Sequence, residues 1–364
     1  MKKLLVIAVA LAAVNAQATR ARVAALANSP HLIDTQTVYN NPADIFALGS
    51  DYVNLETGLT NSTTSTDGAE GMVVRSMGDT KWGLSLGHDS MNGSAWGLRG
   101  LAAGANAGFA TNQQNPLELT YGAKAADMSW AATLVYSNYQ DKVTTAAATA
   151  VKESSMGVRV GARAANWDAA LRLGLTSTVE TGDGSKYTGT AAIGANGGYM
   201  MDSWYLFANI LSAGFKTENG AGAETSKFNT TSIALGALTE VKKDGSGFFY
   251  GASLNNSTSK EDVGDSKTSS MTLPVWVGVE VDAASWLTLR GSITQTLQLL
   301  NNSKSETGGT TTSELAPGAN DTVVTAGAGL KFNKITVDGT LQGSTNQQLN
   351  GNNLLAMLGM TYWY

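Results

Sequence analysis

Glu153-Ser154-Ser155-Met156-Gly157-Val158-Arg159-Val160-Gly161-Ala162-Arg163-Ala164-Ala165-Asn166-Trp167-Asp168-Ala169-Ala170-Leu171-Arg172-Leu173-Gly174-Leu175 is the stretch on which the fold turns. Before Asn166, the residues Met156, Val158, Val160, Ala162 and Ala164 take every second position, with Ser155, Gly157, Arg159, Gly161 and Arg163 between them. Beyond it, Trp167, Ala169, Leu171, Leu173 and Leu175 form the apolar row, against Asp168, Arg172 and Gly174. A period of two sends each row to one face of a β-sheet. The swap at Asn166 marks a short turn between two antiparallel strands.

The unit recurs along the chain. Short turns stand at Gly78-Asp79-Thr80, Ala126-Asp127-Met128, Asn166-Trp167-Asp168, Met201-Asp202-Ser203, Asp244-Gly245-Ser246, Ala283-Ala284-Ser285 and Asn333-Lys334. Between consecutive turns lie two alternating strands and one longer loop rich in Gly, Asn, Ser and Thr. Tight turns at one rim and long loops at the other are the pattern of a transmembrane barrel. Strands are predicted near 51–60, 69–77, 80–89, 115–125, 128–138, 153–165, 167–178, 186–201, 203–215, 227–243, 247–257, 270–282, 286–300, 321–332, 335–345 and 354–364. The predicted class is all-β: an up-and-down antiparallel transmembrane β-barrel of about sixteen strands, or fourteen if one hairpin belongs to a loop. An even count puts the short turns and both barrel ends on the periplasmic side and the long loops outside.

A soluble sandwich also has one apolar face, so alternation alone does not select a membrane. No helical segment or second apolar layer remains to cover this sheet, and charged residues make up only 15% of the chain. The polar rows carry glycine and isolated charges rather than dense Lys and Glu. Trp82, Trp130, Trp167 and Trp204 follow short turns in the apolar row, where they can form an aromatic girdle. Trp286 falls in the polar row unless a bulge intervenes near Ala283-Ala284. Strand 203–215 is ambiguous, because Tyr205, Phe207 and Leu211 compete with Trp204, Leu206 and Ile210 for the outer face.

The two ends bear on compartment. Lys2-Lys3, the apolar run Leu4 to Val14 and Ala16-Gln17-Ala18 have the parts of a cleavable export signal, which gives a domain division of 1–18 signal peptide, 19–49 N-terminal segment and 50–364 barrel. Eleven apolar residues are too few to span a bilayer, which takes about 20. The chain contains no cysteine, which rules out disulfides, thiolate metal sites and a lipid-modified cysteine. Loss of Lys2 and Lys3 takes the net charge from −5 to about −7, which gives no reason to expect nucleic acid as a partner. At the other end, Leu358, Met360, Tyr362 and Tyr364 form one apolar row ending on an aromatic residue. This resembles the terminal strand of Gram-negative outer-membrane barrels, and the resemblance implies the cell outer membrane, with its lipid as a partner.

Residues 19–49 do not follow the barrel pattern. Asp34 to Tyr39 followed by Asn41-Pro42-Ala43 resembles the early Asn-Pro-Ala motif of the long-chain fatty-acid transporter barrels. That resemblance, over about ten residues, implies a lumen plug and transport of hydrophobic compounds, although barrels of that family usually have fourteen strands. The alternative is a periplasmic lead-in that caps the barrel end. Loop 90–114 is the longest, and its Trp96-Gly97-Leu98-Arg99-Gly100-Leu101 is too apolar for a solvated loop. It is expected to fold inward as a constriction, to latch a neighbouring subunit in a homotrimer, or to extend a rim hairpin.

Polar-row ionisable residues are the candidate pore lining: Lys81, Glu118, Lys124, Arg159, Arg163, Asp168, Arg172, Glu280 and Arg290. A turn at Asn166 sets Arg163 nearly opposite Asp168 or Ala170, and Arg159 opposite Arg172 or Gly174. Such an arginine wall would tune solute selectivity, or each arginine would bond a neighbouring carboxylate and stiffen the wall. No catalytic constellation, cofactor motif or metal-ligand spacing is evident. His31 lies in the N-terminal segment, and His88 shares the outward parity of Trp82, Leu84 and Leu86. The expected function is a porin-like channel for passive diffusion of small hydrophilic solutes or ions, with a plugged hydrophobic-compound transporter or a structural or adhesive surface barrel as alternatives.

Overall fold

The computed structural model describes residues 19–59, 69–88, 98–102, 106–110, 116–141, 151–263, 265–307, 310–315, 321–344 and 355–364. The predicted export signal, Trp96 and much of the predicted long loops lie outside these residues.

The chain forms one closed antiparallel sheet of β1 (Tyr52–Leu59), β2 (Glu70–Met77), β3 (Thr80–Leu86), β4 (Leu117–Ala125), β5 (Met128–Gln140), β6 (Val151–Arg163), β7 (Trp167–Thr181), β8 (Lys186–Gly189), β9 (Ala192–Met201), β10 (Trp204–Glu218), β11 (Glu224–Lys243), β12 (Ser246–Glu261), β13 (Ser266–Ala284), β14 (Leu287–Thr307), β15 (Thr310–Leu315), β16 (Asp321–Phe332), β17 (Ile335–Ser344) and β18 (Leu355–Trp363). Both β8 and β9 pair with β7 and β10, and both β15 and β16 pair with β14. The wall therefore has sixteen positions. It closes where β1 meets β18, from Tyr52↔Trp363 to Leu59↔Ala356.

The short turns have local causes. Two residues separate Met77 from its partner Thr80, Met201 from Trp204, Lys243 from Ser246 and Phe332 from Ile335. Such tight hairpins need positive φ, supplied by Gly78 (64°), Asp202 (54°), Asp244 (49°) and Asn333 (55°). Arg163 pairs with Asp168 and Arg159 with Arg172, so the hairpin around Asn166 has the tighter of the two registers left open by the sequence.

The alternation emerges as a division between outside and inside. Leu84, Leu119, Leu134, Val160, Leu171, Ile193, Leu235, Leu289, Val324 and Leu358 are exposed on the outer surface, while their sequence neighbours face inward. Trp82, Tyr121, Trp130, Trp204 and Tyr250 cluster near the short-turn rim, with Trp82 and Tyr121 ring centroids 4.6 Å apart. A closed sheet with every wall strand paired, an apolar outer belt and an aromatic girdle is a bilayer-spanning barrel.

Three predictions of detail are settled by packing. In β10, Trp204, Leu206 and Ile210 face outward, because Tyr205 packs inside with Leu26 and Leu32 of the N-terminal segment. The register of β13 on β14 shifts between Asp282 and Ala284, and Trp286 sits in the turn between Ala284 and Leu287, 52% exposed and free of strand parity. Strands β10 to β14 run well past the predicted ends. Among the described residues, the predicted loops 216–226, 258–269 and 301–320 are largely ladder, with pairing as far out as Glu218↔Glu224 and Glu261↔Ser266. β11, β13 and β14 are 20, 19 and 21 residues long, against the 9–11 or so needed to cross a bilayer. Their distal halves are Ser-, Thr- and Asn-rich because no lipid contacts them, and apolar periodicity gave no sign of them.

Replacing Leu171 by Arg should cost about 2–4 kcal/mol, the range for an arginine on the lipid face near the bilayer middle. Leu171→Met should be near neutral. Reversible unfolding in lipid vesicles reads both, and equal effects would show that this face does not meet lipid.

Candidate functional site

The inward rows of a sixteen-strand wall cannot meet across the lumen, and the space is taken by residues 19–49. Thr19 caps helix α1 (Arg20–Ala25) by accepting a hydrogen bond from the Arg22 amide, and two 3-10 turns follow at Gln36–Tyr39 and Pro42–Phe46. The segment touches the inner wall on every side. The Arg20 amide donates to Glu56 on β1 (2.7 Å), and the Tyr39 hydroxyl bonds Ser85 on β3 (2.6 Å). Farther round, Trp276 Nε1 on β13 donates to Ser29 Oγ (3.2 Å), and Thr325 on β16 and Thr340 on β17 donate to the Ala25 and Ala21 carbonyls. Asn41 and Pro42 lie against Gly161 of β6, where an added Cβ would overlap the Asn41 side chain, and Ala43 is fully buried beside them. Contacts around the whole circumference place residues 19–49 inside the barrel.

Two apolar clusters and one ionic chain hold this plug. Val38, Tyr39, Ile45 and Leu48 pack on Tyr52, Met72, Val74 and Ala131, and Leu26 and Leu32 pack on Tyr205, Leu238, Phe249 and Trp276. Arg22 binds both oxygens of Glu280 (2.9 and 3.1 Å) and donates to Asp34 Oδ2 (3.1 Å). Glu280 also accepts from Arg290 Nε (2.6 Å), Arg290 pairs with Asp338, and Asp338 accepts from Thr19 Oγ1 (3.2 Å). Burial pushes the Asp34 carboxyl up to about 6, against the pull of Arg22 and with a further push from the Asp338 charge. Burial opposes the Arg22 charge, yet Glu280 and Asp34 more than offset it and hold the guanidinium above its ordinary value.

The sequence-selected wall residues all face inward, and most of them grip the plug instead of bordering an open pore. Lys81 Nζ donates to the Leu48 carbonyl (3.0 Å), and Lys124 lies over the Phe46 ring at 5.9 Å. Arg159 pairs with Glu118 and donates to the Tyr39 carbonyl (3.0 Å). Arg163 bonds Asp44 (2.7 Å) and lies 3.8 Å from Asp168, which also accepts from the Tyr205 hydroxyl (2.8 Å). Glu280 and Arg290 belong to the ionic chain. Arg172 differs: among the described residues its side chain donates to Asn40 Oδ1 at 3.4 Å, and its buried Nε has no partner. Among the described residues no carboxylate pairs with it.

The long loop also enters the lumen. Helix α2 (Arg99–Ala102) carries Arg99, fully buried, whose Nη2 donates to equally buried Glu153 (2.9 Å) and whose Nε donates to Ser177 (3.1 Å). Ala102 and Phe109 pack with Val179, Tyr187 and Phe215. The described part of this loop is spent on its own barrel, so its apolar character supplies no argument for a trimer.

His88 is a correction. Strand parity would put it outside, but β3 ends at Leu86 and Gly87 adopts φ 84°, turning the next side chain inward. His88 Nδ1 lies 2.7 Å from Glu70 Oε2, and the ring stacks on Tyr39 at 3.6 Å. Neither Arg22 nor Asp34 stood among the candidate site residues read from the sequence. The available signal was a pair of arginines and a pair of aspartates in a short segment that has to dock on a wall bearing inward Glu56, Glu70, Glu280 and Asp338.

On the long-loop side of the plug lies a cavity of about 950 Å³. Its floor includes Leu32, Asn40 and Asn41, its side Leu98 and Leu101, and its far wall the inward rows of β9 to β14. Tyr205, Leu238, Gly251 and Trp276 are successive cross-strand partners at the level of the plug. Four residues farther from the short turns, Asn196, Asn209, Ala234 and Asn255 are likewise partners, about 13 Å along the strands from that level.

No protein-family model matches this sequence, and no curated protein matches it. Solved structures overlap it in shape. A bacterial polysaccharide outer membrane secretin is 9% identical over 86% of this chain and 98% of its own, with a TM-score of 0.44. A porin is 10% identical over 86% of this chain and 99% of its own (TM-score 0.40), and CdiB from Acinetobacter baumannii is 9% identical over 86% and 60% (TM-score 0.44). At this level the likeness is one of barrel shape. The closed sheet and its apolar belt identify the chain as an outer-membrane β-barrel.

The raised Asp34 value has a definite sign. The docked segment holds a proton that the free segment releases nearer the ordinary carboxylate value of 3.8, so this contribution to docking is complete below about pH 4 and is lost as pH rises through about 6. Buried Asp44, also raised by burial against the pull of Arg163, acts in the same direction. Asp34→Asn should match the wild type in hydrogen-exchange protection of residues 19–49 at pH 4 and exceed it at pH 7.5. Lower protection at pH 7.5 would show that the ionised pair with Arg22 outweighs the cost of burying the charge.

Proposed function

We propose that this barrel is a gated solute channel of the outer membrane: a porin-like wall whose lumen is closed by residues 19–49 and conducts when that segment shifts. The observation that carries this reading is the ring of contacts from the plug to the whole inner circumference, with the cavity lying beyond it. A solute arriving from the long-loop side would meet the cavity first and the plug second. The wall beyond the plug bears Asn209, Ser232, Ser253, Asn255 and Thr294, which suits hydrophilic solutes better than hydrocarbon, since polar groups buried against an alkyl chain lose water without compensation.

The plug is built to move. Buried ion pairs roughly break even against desolvation, so the chain from Asp34 to Asp338 sets the register of docking more than its strength. The apolar clusters supply the strength, at about 1.5–3 kcal/mol for each fully buried large side chain.

The chain contains no cysteine, so an engineered disulfide reads gating cleanly. A Cβ on Gly327 would lie 2.7 Å from the Ala25 Cβ, and a relaxation of about 1 Å gives disulfide spacing. In planar bilayers, oxidised A25C/G327C should stay closed and reductant should restore transitions to a large conductance. Glu280→Gln should open more often than the wild type. Equal, fully open conductance before and after reduction would refute the gate.

A further inference from the structure

We infer that the cavity on the long-loop side of the plug binds a hydroxylated organic monoanion, of the class of sugar acids, with Arg172 taking the carboxylate. This deepens the gated-channel reading and rests on it for the route by which the solute arrives.

The arrangement of charge on the lining points to Arg172. Among the described residues, the ionised groups lining the cavity are Arg163, Asp44, Asp168 and Arg172. The first three are bound to one another, with Arg163 between the two carboxylates at 2.7 and 3.8 Å and one negative charge in excess. Arg172 stands apart from them. Its cross-strand partner Arg159 is neutralised by Glu118, and the Arg172 Nε is buried with no hydrogen-bond partner. The buried Nε lies against Gly194 of β9, and the guanidinium, which lines the cavity, can take a carboxylate through its Nη groups. The four groups sum to zero, so the positive charge is local to Arg172: it can accept one carboxylate, while Asp44 and Asp168 on the same lining repel a second.

The wall beside it specifies the body of the ligand. Asn196 and Asn209 face each other across β9 and β10, and Asn255 follows on β12, with Ala234 leaving room between them. Amide side chains offer donors and acceptors together, the pattern that neighbouring hydroxyls require, and the buried Asn196 Oδ1 has no partner. Nearer the plug, the rings of Tyr205, Phe207 and Trp276 stand 6.2–6.3 Å apart and give an apolar floor. A pyranose ring has both surfaces, a C–H face for aromatic rings and an equatorial rim of hydroxyls for amides. A long alkyl carboxylate does not fit, because the apolar surface is confined to the floor and the chain would have to strip water from the amide row. A neutral sugar leaves Arg172 unmatched.

Isothermal titration of the purified full-length barrel in micelles tests this, with glucuronate, glucose and octanoate as probes. Glucuronate should bind more tightly than either of the others. Arg172→Gln should weaken it about ten- to a hundred-fold, the range for losing a charge-assisted pair. Arg172→Lys should recover part of that loss, and Asn209→Leu should weaken glucuronate while sparing octanoate. Octanoate binding more tightly than glucuronate would overturn the inference, as would glucuronate binding indifferent to Arg172→Gln. The gate and the site fail separately. The oxidised A25C/G327C protein should still bind glucuronate with its plug fixed, so an open conductance in that protein refutes the gate and leaves the site standing. A working gate with no glucuronate binding refutes the site alone.

Discussion

Closure of the sheet is the constraint on which this molecule depends. Hydrocarbon offers no partner for a backbone amide or carbonyl, so a membrane sheet has no stable edge and β18 must return to β1. Closing at sixteen positions makes a ring too wide for its inward side chains to meet. That width creates the demand met by residues 19–49 and by the inward loop around Arg99. The wall, the plug and the cavity follow from one another in that order.

Inside the ring, two kinds of interaction divide the work. Apolar contacts such as Ile45 and Leu48 on Tyr52 and Val74 provide most of the driving force, because they remove hydrocarbon from water without a desolvation penalty. The ionic chain Asp34–Arg22–Glu280–Arg290–Asp338 adds little net energy but is geometrically exacting, since each carboxylate serves more than one donor. Strong, unspecific adhesion combined with a specific, ion-paired register holds the plug in one place. Among the described arginines of the inner wall, Arg172 lines the cavity and has no carboxylate partner.

The barrel was legible because its signals are local. Turn residues such as Asp202, Asp244 and Asn333 carry their positive φ in their own chemistry, and a period of two is read from neighbouring letters. Legibility failed where a distant contact or a single dihedral overrode the period. Tyr205 and Trp204 are equally good outer residues until Leu26 and Leu32 claim the tyrosine. His88 follows an outward row until Gly87 turns the chain. The Ser- and Thr-rich ends of β11 to β14 lack an apolar face and read as loop, although their backbones pair as regularly as the membrane part. In the site, the inward rows were correct as rows, but a row does not say whether its charges meet water or a folded-in segment.

By itself the sequence determined an antiparallel membrane barrel, the rim that carries the short turns, and which face of each strand bears charge, because these depend on spacings of two residues and on turn chemistry. Only the tertiary structure decided that Arg163 meets Asp44, that Arg22 bridges Asp34 and Glu280, and that Arg172 meets no carboxylate among the described residues. Those pairings join positions up to hundreds of residues apart. They are set by the stagger of the closed sheet and by the way residues 19–49 fold back into it, and neither leaves a periodic trace along the chain.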